Sequence, residues 1–284
     1  MTYAEWAAQP WADGTHRLEH LPLDALHPLR HGSLTITLQV SGGRVTECRF
    51  AVAANHRGDE VLLEVRDVRQ GLALVDRHGW LTAPFAETLL ARLVERLLGI
   101  TVSARTAALR ELVLALNATA VDALWEHLEA SITGDGSDGL ARREAALDEL
   151  EALTGARLHC GYVRVGGVAG DIAPEQLDRL LQHADPRVTT AARAVAVATG
   201  DLAVTLPKTI RLPQADAYDE IDTPHGLLGL WLVGRGDKVP HRVHLRTAGF
   251  AALATLEREA AGLTPEELLL RLARTRLVLG EVAR

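Results

Sequence analysis

Two apolar runs, residues 227–233 and 242–246, flank the segment GRGDKVP, and no other pattern constrains this chain's fold as tightly. Glycine and proline favour turns, so extended runs on either side of such a segment close into a β-hairpin. Thr247-Ala248-Gly249-Phe250 follows, and then an alanine- and leucine-rich stretch that reads as a helix. The hairpin therefore delivers the chain onto a helix, with Gly226 and Gly249 marking tight backbone approaches.

The chain has 284 residues, enough to bury roughly three quarters of its unfolded surface in one sizeable core or two small ones. Its net charge of −7 is spread among interspersed acids and bases, which argues against binding nucleic acid through phosphate neutralisation. No apolar run reaches the roughly 20 residues needed to span a bilayer. The N-terminal stretch MTYAEWAAQPWADGTHR lacks the basic-then-apolar form of an export signal, so a cytoplasmic location is expected. The two cysteines, Cys48 and Cys160, are far apart and in no CxxC spacing, and read as small buried hydrophobes. An iron–sulfur cluster usually takes four thiolates, so this chain is not expected to hold one or any other metal. No dinucleotide or P-loop glycine motif is present.

Several further elements are legible along the chain. His27-Pro28-Leu29-Arg30-His31-Gly32 opens a hairpin, with residues 34–40 alternating, Ser41-Gly42-Gly43 turning and residues 45–52 returning. His27 and His31 read as loop-end histidines, and His16 and His20 stand at helical spacing; no third ligand follows at a metal-site spacing. Residues 85–98 are strongly helical and Gly99 stands where a terminating glycine belongs. Residues 103–130 carry Leu109, Leu112, Val113, Leu116, Val121, Leu124, Trp125 and Leu128 at three- and four-residue steps, a core-facing stripe. GDGSDG at 134–139 is a polar connection, and residues 140–153 form a third helix. Pro174 starts a short helix through Ala184, and the alanine-rich stretch after Thr190 suggests another.

Several stretches together resemble the D-type subunit of respiratory NADH:quinone oxidoreductase (complex I) and its relatives, the large subunits of nickel–iron hydrogenases. HPLRHG, HRGDE, QGLALVDRHGW and VERLLG fall in register with that family's H-P-x-x-H-G, H-R-G-x-E-K, Q-A-L-x-x-(V/F)-D-R-L-D-Y and V-E-K-L-L. GARLHCGYVRVGGV at 155–168 resembles G-A-R-(M/L)-H-x-x-Y-x-R-P-G-G-V, and the 222–253 stretch and the ending LVLGEVAR also match. The resemblance covers residues 27–168 and about 205–284. Between Val168 and Asp222 the family is much longer, with several bundle helices, and at the end Ala283 replaces an aspartate. The missing CxxC pairs exclude a hydrogenase centre.

The resemblance implies an α+β fold: a small N-terminal antiparallel β unit (1–60), then a reduced helical bundle with a C-terminal β-hairpin and helix (61–284). It implies a quinone-site subunit, inactive in isolation, working with an iron–sulfur partner subunit in an assembly peripheral on the inner face of the cell membrane. His31 and Trp80 fall where the family binds the quinone headgroup, His31 being the catalytic candidate. Arg57 and His159 fall where it faces the partner's cluster. Trp80 stands in place of a tyrosine; indole offers an N–H donor but no proton to release near neutrality. Asp135 is an ambiguous stand-in for a family aspartate coupled to the headgroup histidine. A non-catalytic scaffold or assembly subunit is the alternative, favoured by Trp80, Gly79, Ala283 and the shortened middle.

Overall fold

A computed structural model describes residues 11–30, 34–52 and 56–282. The chain divides into two compact units, Met1–Arg57 with Trp125–Asp138 and Thr247–Arg284, and Gly58–Leu124 with Gly139–Arg246.

In the first unit β1 (Gly14–Leu18), β2 (Thr35–Ser41) and β3 (Arg44–Ala51) form an antiparallel sheet in that order. Alternation along β2 puts Ile36, Leu38 and Val40 on the buried face. Gly42 and Gly43 carry positive φ angles, 58° and 71°, as a tight primed turn requires. The two-stranded expectation thus gains β1, whose Gly14–Leu18 pairs along β2. His16 consequently lies on a strand, where its Nε2 contacts the Ala12 carbonyl at 2.8 Å, and the helical spacing with His20 has no helix behind it. The sheet's apolar face shares a core with Leu253, Leu256, Leu268, Leu269 and Leu272. These come from α8 (Ala248–Glu259) and α9 (Pro265–Arg274), and α10 (Leu279–Val282) adds Leu279 and Val282 to the same core. A Cβ at Gly249 would come within 3.0 Å of Val282 Cγ2, which is the close approach expected there.

The second unit holds α1 (Asp59–Glu64), α2 (Val68–His78), α3 (Ala83–Leu98), α4 (Ala104–Thr133) as far as Leu124, and α5 (Gly139–Thr154). Asp67 starts α2 with a capping box completed by Gln70, and Gly99 ends α3 in the left-handed region at φ 66°. The stripe expected on α4 is buried at Leu109, Leu112, Val113 and Leu116. In the shortened middle, α6 (Pro174–Leu180) and α7 (Pro186–Val197) follow, α7 beginning five residues before Ala191, where the alanine run starts, with Asp185 as its cap.

The C-terminal hairpin is β7 (Gly226–Val233) and β8 (Arg242–Arg246), and β6 (Asp216–Thr223) makes it three-stranded. Leu228, Leu230, Leu232, Val243 and Leu245 share one core with α3 and α4. The outer edge of β8 does not remain open. Glu64 accepts from the Val243 N–H at 3.0 Å and Glu60, one helical turn away on α1, from the Leu245 N–H at 2.8 Å.

Candidate functional site

The second unit collects the polar chemistry around the end of α2 and a glycine-rich loop. Asp76 is 1% exposed. One of its oxygens accepts from Arg77 Nη1 at 2.5 Å, and the other stands 3.5 Å from Nδ1 of His159. A buried carboxylate needs such partners, because desolvating the charge alone is costly. His78, the last residue of α2, turns to a different acid: its Nδ1 lies 2.8 Å from Asp59 Oδ2.

His159 sits in the segment joining α5 to β4 (Val163–Arg164) and β5 (Gly167–Val168). Its φ of 53° is the one positive value of a non-glycine residue among the described residues. Such a backbone persists only where its surroundings hold it. Two carboxylates of α3 supply the hold. Glu87 accepts from the Gly161 N–H at 2.9 Å and the Val163 N–H at 3.2 Å. Glu95 accepts from the Gly166 N–H at 2.7 Å and is paired with Arg110, which donates in turn to the Arg164 and Gly167 carbonyls at 2.9 and 3.1 Å. Gly167 is glycine of necessity, since a Cβ there would lie 2.4 Å from the Leu202 carbonyl oxygen.

These pieces enclose a cavity of about 580 Å³ lined by Asp76, Arg77, His159, Gly161, Arg164 and Arg69, with Leu72, Val163, Val165, Val204 and Leu206 as apolar wall. Arg69 is anchored at its rim by donating to the Lys208 and Pro207 carbonyls at 2.6 and 2.8 Å. A larger, more apolar recess of about 870 Å³ lies between Phe85, Leu114, Ala118, Ala191 and Ile221. Its rim arginines, Arg92 and Arg187, are already paired with Asp219, Asp122 and Asp185.

Burial raises Glu87 to about 7; the hydrogen bonds from Gly161 and Val163 pull the other way and the Asp76 charge adds to the rise. Burial also raises Cys160 to about 11, with Glu87 and Asp76 adding to it, and Cys48 to about 12, so both thiols keep their protons near neutral pH. Tyr162 is likewise raised by burial, and its hydroxyl donates to the Gly170 carbonyl at 2.6 Å.

Of the residues singled out from sequence, His31 lies outside the described residues, as does Ala283. Trp80 is half-buried in a 3-10 turn, Trp80–Thr82, four residues beyond Asp76, and does not line the cavity. Arg57 is exposed and belongs to the first unit, while His159, in the second, joins Asp76 and Arg77. Asp135 is exposed in the first unit, where Thr133 Oγ1 donates to it at 2.7 Å. Glu95, Asp59 and His78 stand inside the motifs VERLLG, HRGDE and QGLALVDRHGW with no role assigned from sequence, and Glu87 and Arg110 stand outside every motif. A signal exists for Glu87 and Glu95, since both interrupt the apolar stretch of α3 where a charge has to be explained. Among the described residues no three His, Cys, Asp or Glu side chains stand together to hold a metal, and no helix is long and apolar enough to cross a membrane.

Known proteins are similar to this chain in sequence and in fold. The family model described as "Respiratory-chain NADH dehydrogenase, 49 Kd subunit" matches residues 138–196 and 201–284, together half of the chain. The D 2 subunit of the NADH-quinone oxidoreductase of Salinispora tropica is 27% identical, over 81% of this chain and 84% of that one. The D 1 subunit of the Streptomyces griseus enzyme is 38% identical over 54% of this chain and 36% of its own. Among solved structures, a chain of the membrane-bound sulfane sulfur reductase, an archaeal respiratory membrane complex, superposes with a TM-score of 0.80 at 18% identity, covering 97% of this chain and 100% of that one. That likeness shows the fold, and the family match with the motifs at 155–168 and 222–253 inside it shows the lineage. The chain belongs to the family of the 49 kDa subunit of respiratory-chain NADH dehydrogenase.

Proposed function

We propose that this chain is the quinone-site subunit of a complex-I-like oxidoreductase, taking electrons from an iron–sulfur partner subunit and passing them to quinone. The observation that carries the reading is the convergence of two family motifs on one cavity: Asp76 and Arg77 from VDR, and His159 with Gly161 and Val163 from the glycine-rich loop. His159 is 29% exposed beside that cavity, so it can both face a partner and rest on Asp76. Arg57, which the resemblance also turns toward the partner's cluster, brings the fixed positive charge that favours the cluster's reduced form.

Quinone reduction takes up two electrons and two protons, and imidazole is the side chain suited to deliver protons near neutral pH. That role falls to His31. Trp80, outside the lining of that cavity, is assigned the headgroup by resemblance alone: it would hold an oxygen by its indole N–H, or stack on the ring, without releasing a proton. In this reading the assembly meets the membrane through its partners.

The test uses the complex purified with its cluster-bearing subunit and a soluble quinone. His31→Ala is expected to lower turnover by about a hundredfold or more, the usual range for losing a general acid. Unchanged turnover removes His31 from the mechanism. A complex that assembles normally but reduces no quinone even in the wild type establishes the scaffold reading, which the exchange of tyrosine for Trp80 favours.

A further inference from the structure

We propose that Glu87 is the positioning residue for His159: as a carboxylate it holds the Gly161 and Val163 N–H groups, and on taking up a proton it gives up one of them and frees the loop that carries the imidazole. The geometry is specific. Glu87 is 1% exposed, and each of its oxygens serves a different N–H, Oε1 that of Gly161 and Oε2 that of Val163. Gly161 follows His159 by two residues, so the clamp fixes the turn in which His159 holds its φ of 53°. Protonation converts one of the two acceptor oxygens into a hydroxyl, which donates, and one backbone N–H then loses its partner. Only an O–H bond forms and breaks, with solvent as source and sink of the proton.

What makes the clamp responsive is the absence of a counter-charge. Among the described residues no cation pairs with Glu87, whereas Glu95 on the same helix binds Arg110 through both oxygens at 2.6 and 3.0 Å. The titratable groups around Glu87 are Asp76 from α2 and the Cys160 thiol from the loop, with Arg77 and His159 reaching it through Asp76. Two carboxylates so placed share an environment in which a proton on one eases the charge on the other. The value of about 7 puts the change within the physiological range. His159 in turn has no hydrogen-bond partner for its buried Nδ1, its distance to Asp76 being 3.5 Å, so its place depends on the backbone that Glu87 secures. The use of this motion in electron transfer rests on the quinone-site reading; the latch itself does not.

The experiment is amide hydrogen exchange on the full chain, without quinone, from about pH 5.5 to about pH 8.5. After correction for intrinsic exchange, protection at Gly161 and Val163 is expected to fall about tenfold toward acid, the equivalent of one hydrogen bond to a charged acceptor. Protection across Gly166–Val168, where Glu95 holds the Gly166 N–H and the Leu202 carbonyl accepts from the Val168 N–H, is expected to stay level. Glu87→Gln should show the low, pH-independent protection throughout. Protection at 161 and 163 that tracks 166–168 at every pH overturns the proposal, and so does a folded Glu87→Gln chain with the wild-type slope. The wild-type titration decides alone if the variant does not fold. Since no quinone is present, failure here leaves the quinone-site reading standing, and loss of that reading leaves the latch.

Discussion

The two ends of the glycine-rich loop are gripped by the same residue type from the same helix, yet they are built differently. At the 166 end, Glu95 has Arg110, and the pair reaches Gly166, Arg164 and Gly167 with every charge answered. At the 161 end, Glu87 has only backbone donors and a neighbouring acid, Asp76. A compensated buried ion pair is a fixed strut, because removing either partner strands the other charge. An uncompensated carboxyl near neutrality can change its state without demolishing its surroundings. One loop is thus fixed at its far end and adjustable at the end that carries His159.

The largest effect should come from breaking the strut. Arg110→Met leaves Glu95 buried without its cation and is expected to cost about 3–5 kcal/mol in urea denaturation. A loss below about 1 kcal/mol would mean that the two ends do not differ as described. Next comes the pH dependence of stability. The native state keeps the Glu87 proton up to about pH 7, while in the unfolded chain it leaves near the ordinary value of 4.5. The native state therefore binds more protons across that window, and this group's contribution to stability falls as pH rises from about 4.5 to about 7. The span is on the order of 3 kcal/mol, measured by urea titrations at a series of pH values, and Glu87→Gln should remove it. A smaller effect, about 2 kcal/mol, is expected for Gly167→Ala, whose added carbon meets the Leu202 carbonyl at the strut end. That variant should leave the pH slope intact, which separates crowding at one end from protonation at the other.

Much of the scaffold was legible from local pattern. The alternation along 35–41, the apolar steps of α4, the glycine at 99 and the GRGDKVP turn each act within a few residues, and each element formed where its period placed it. The lineage was legible too, since the 155–168 and 222–253 motifs lie inside the segments that match the family model. Less of the site could be read. Asp76 and Arg77 stand in one motif and His159 in another, and nothing along the chain says that the two line one cavity. Trp80, prominent in sequence, is absent from that cavity's lining, and His31 lies outside the described residues.

By itself, then, the sequence settled the periods, caps and turns and the family to which the chain belongs, because these depend on neighbours in the chain and on short motifs in order. Tertiary structure alone decided that Glu95 would meet Arg110, that Glu87 would meet the Gly161 and Val163 N–H groups, and that Glu60 and Glu64 would close the edge of β8. A carboxylate carries the same charge wherever it is written. Whether it becomes a strut, an edge cover or a proton-sensitive clamp depends on which donors reach it and how much water is excluded, and both are set by residues far away along the chain.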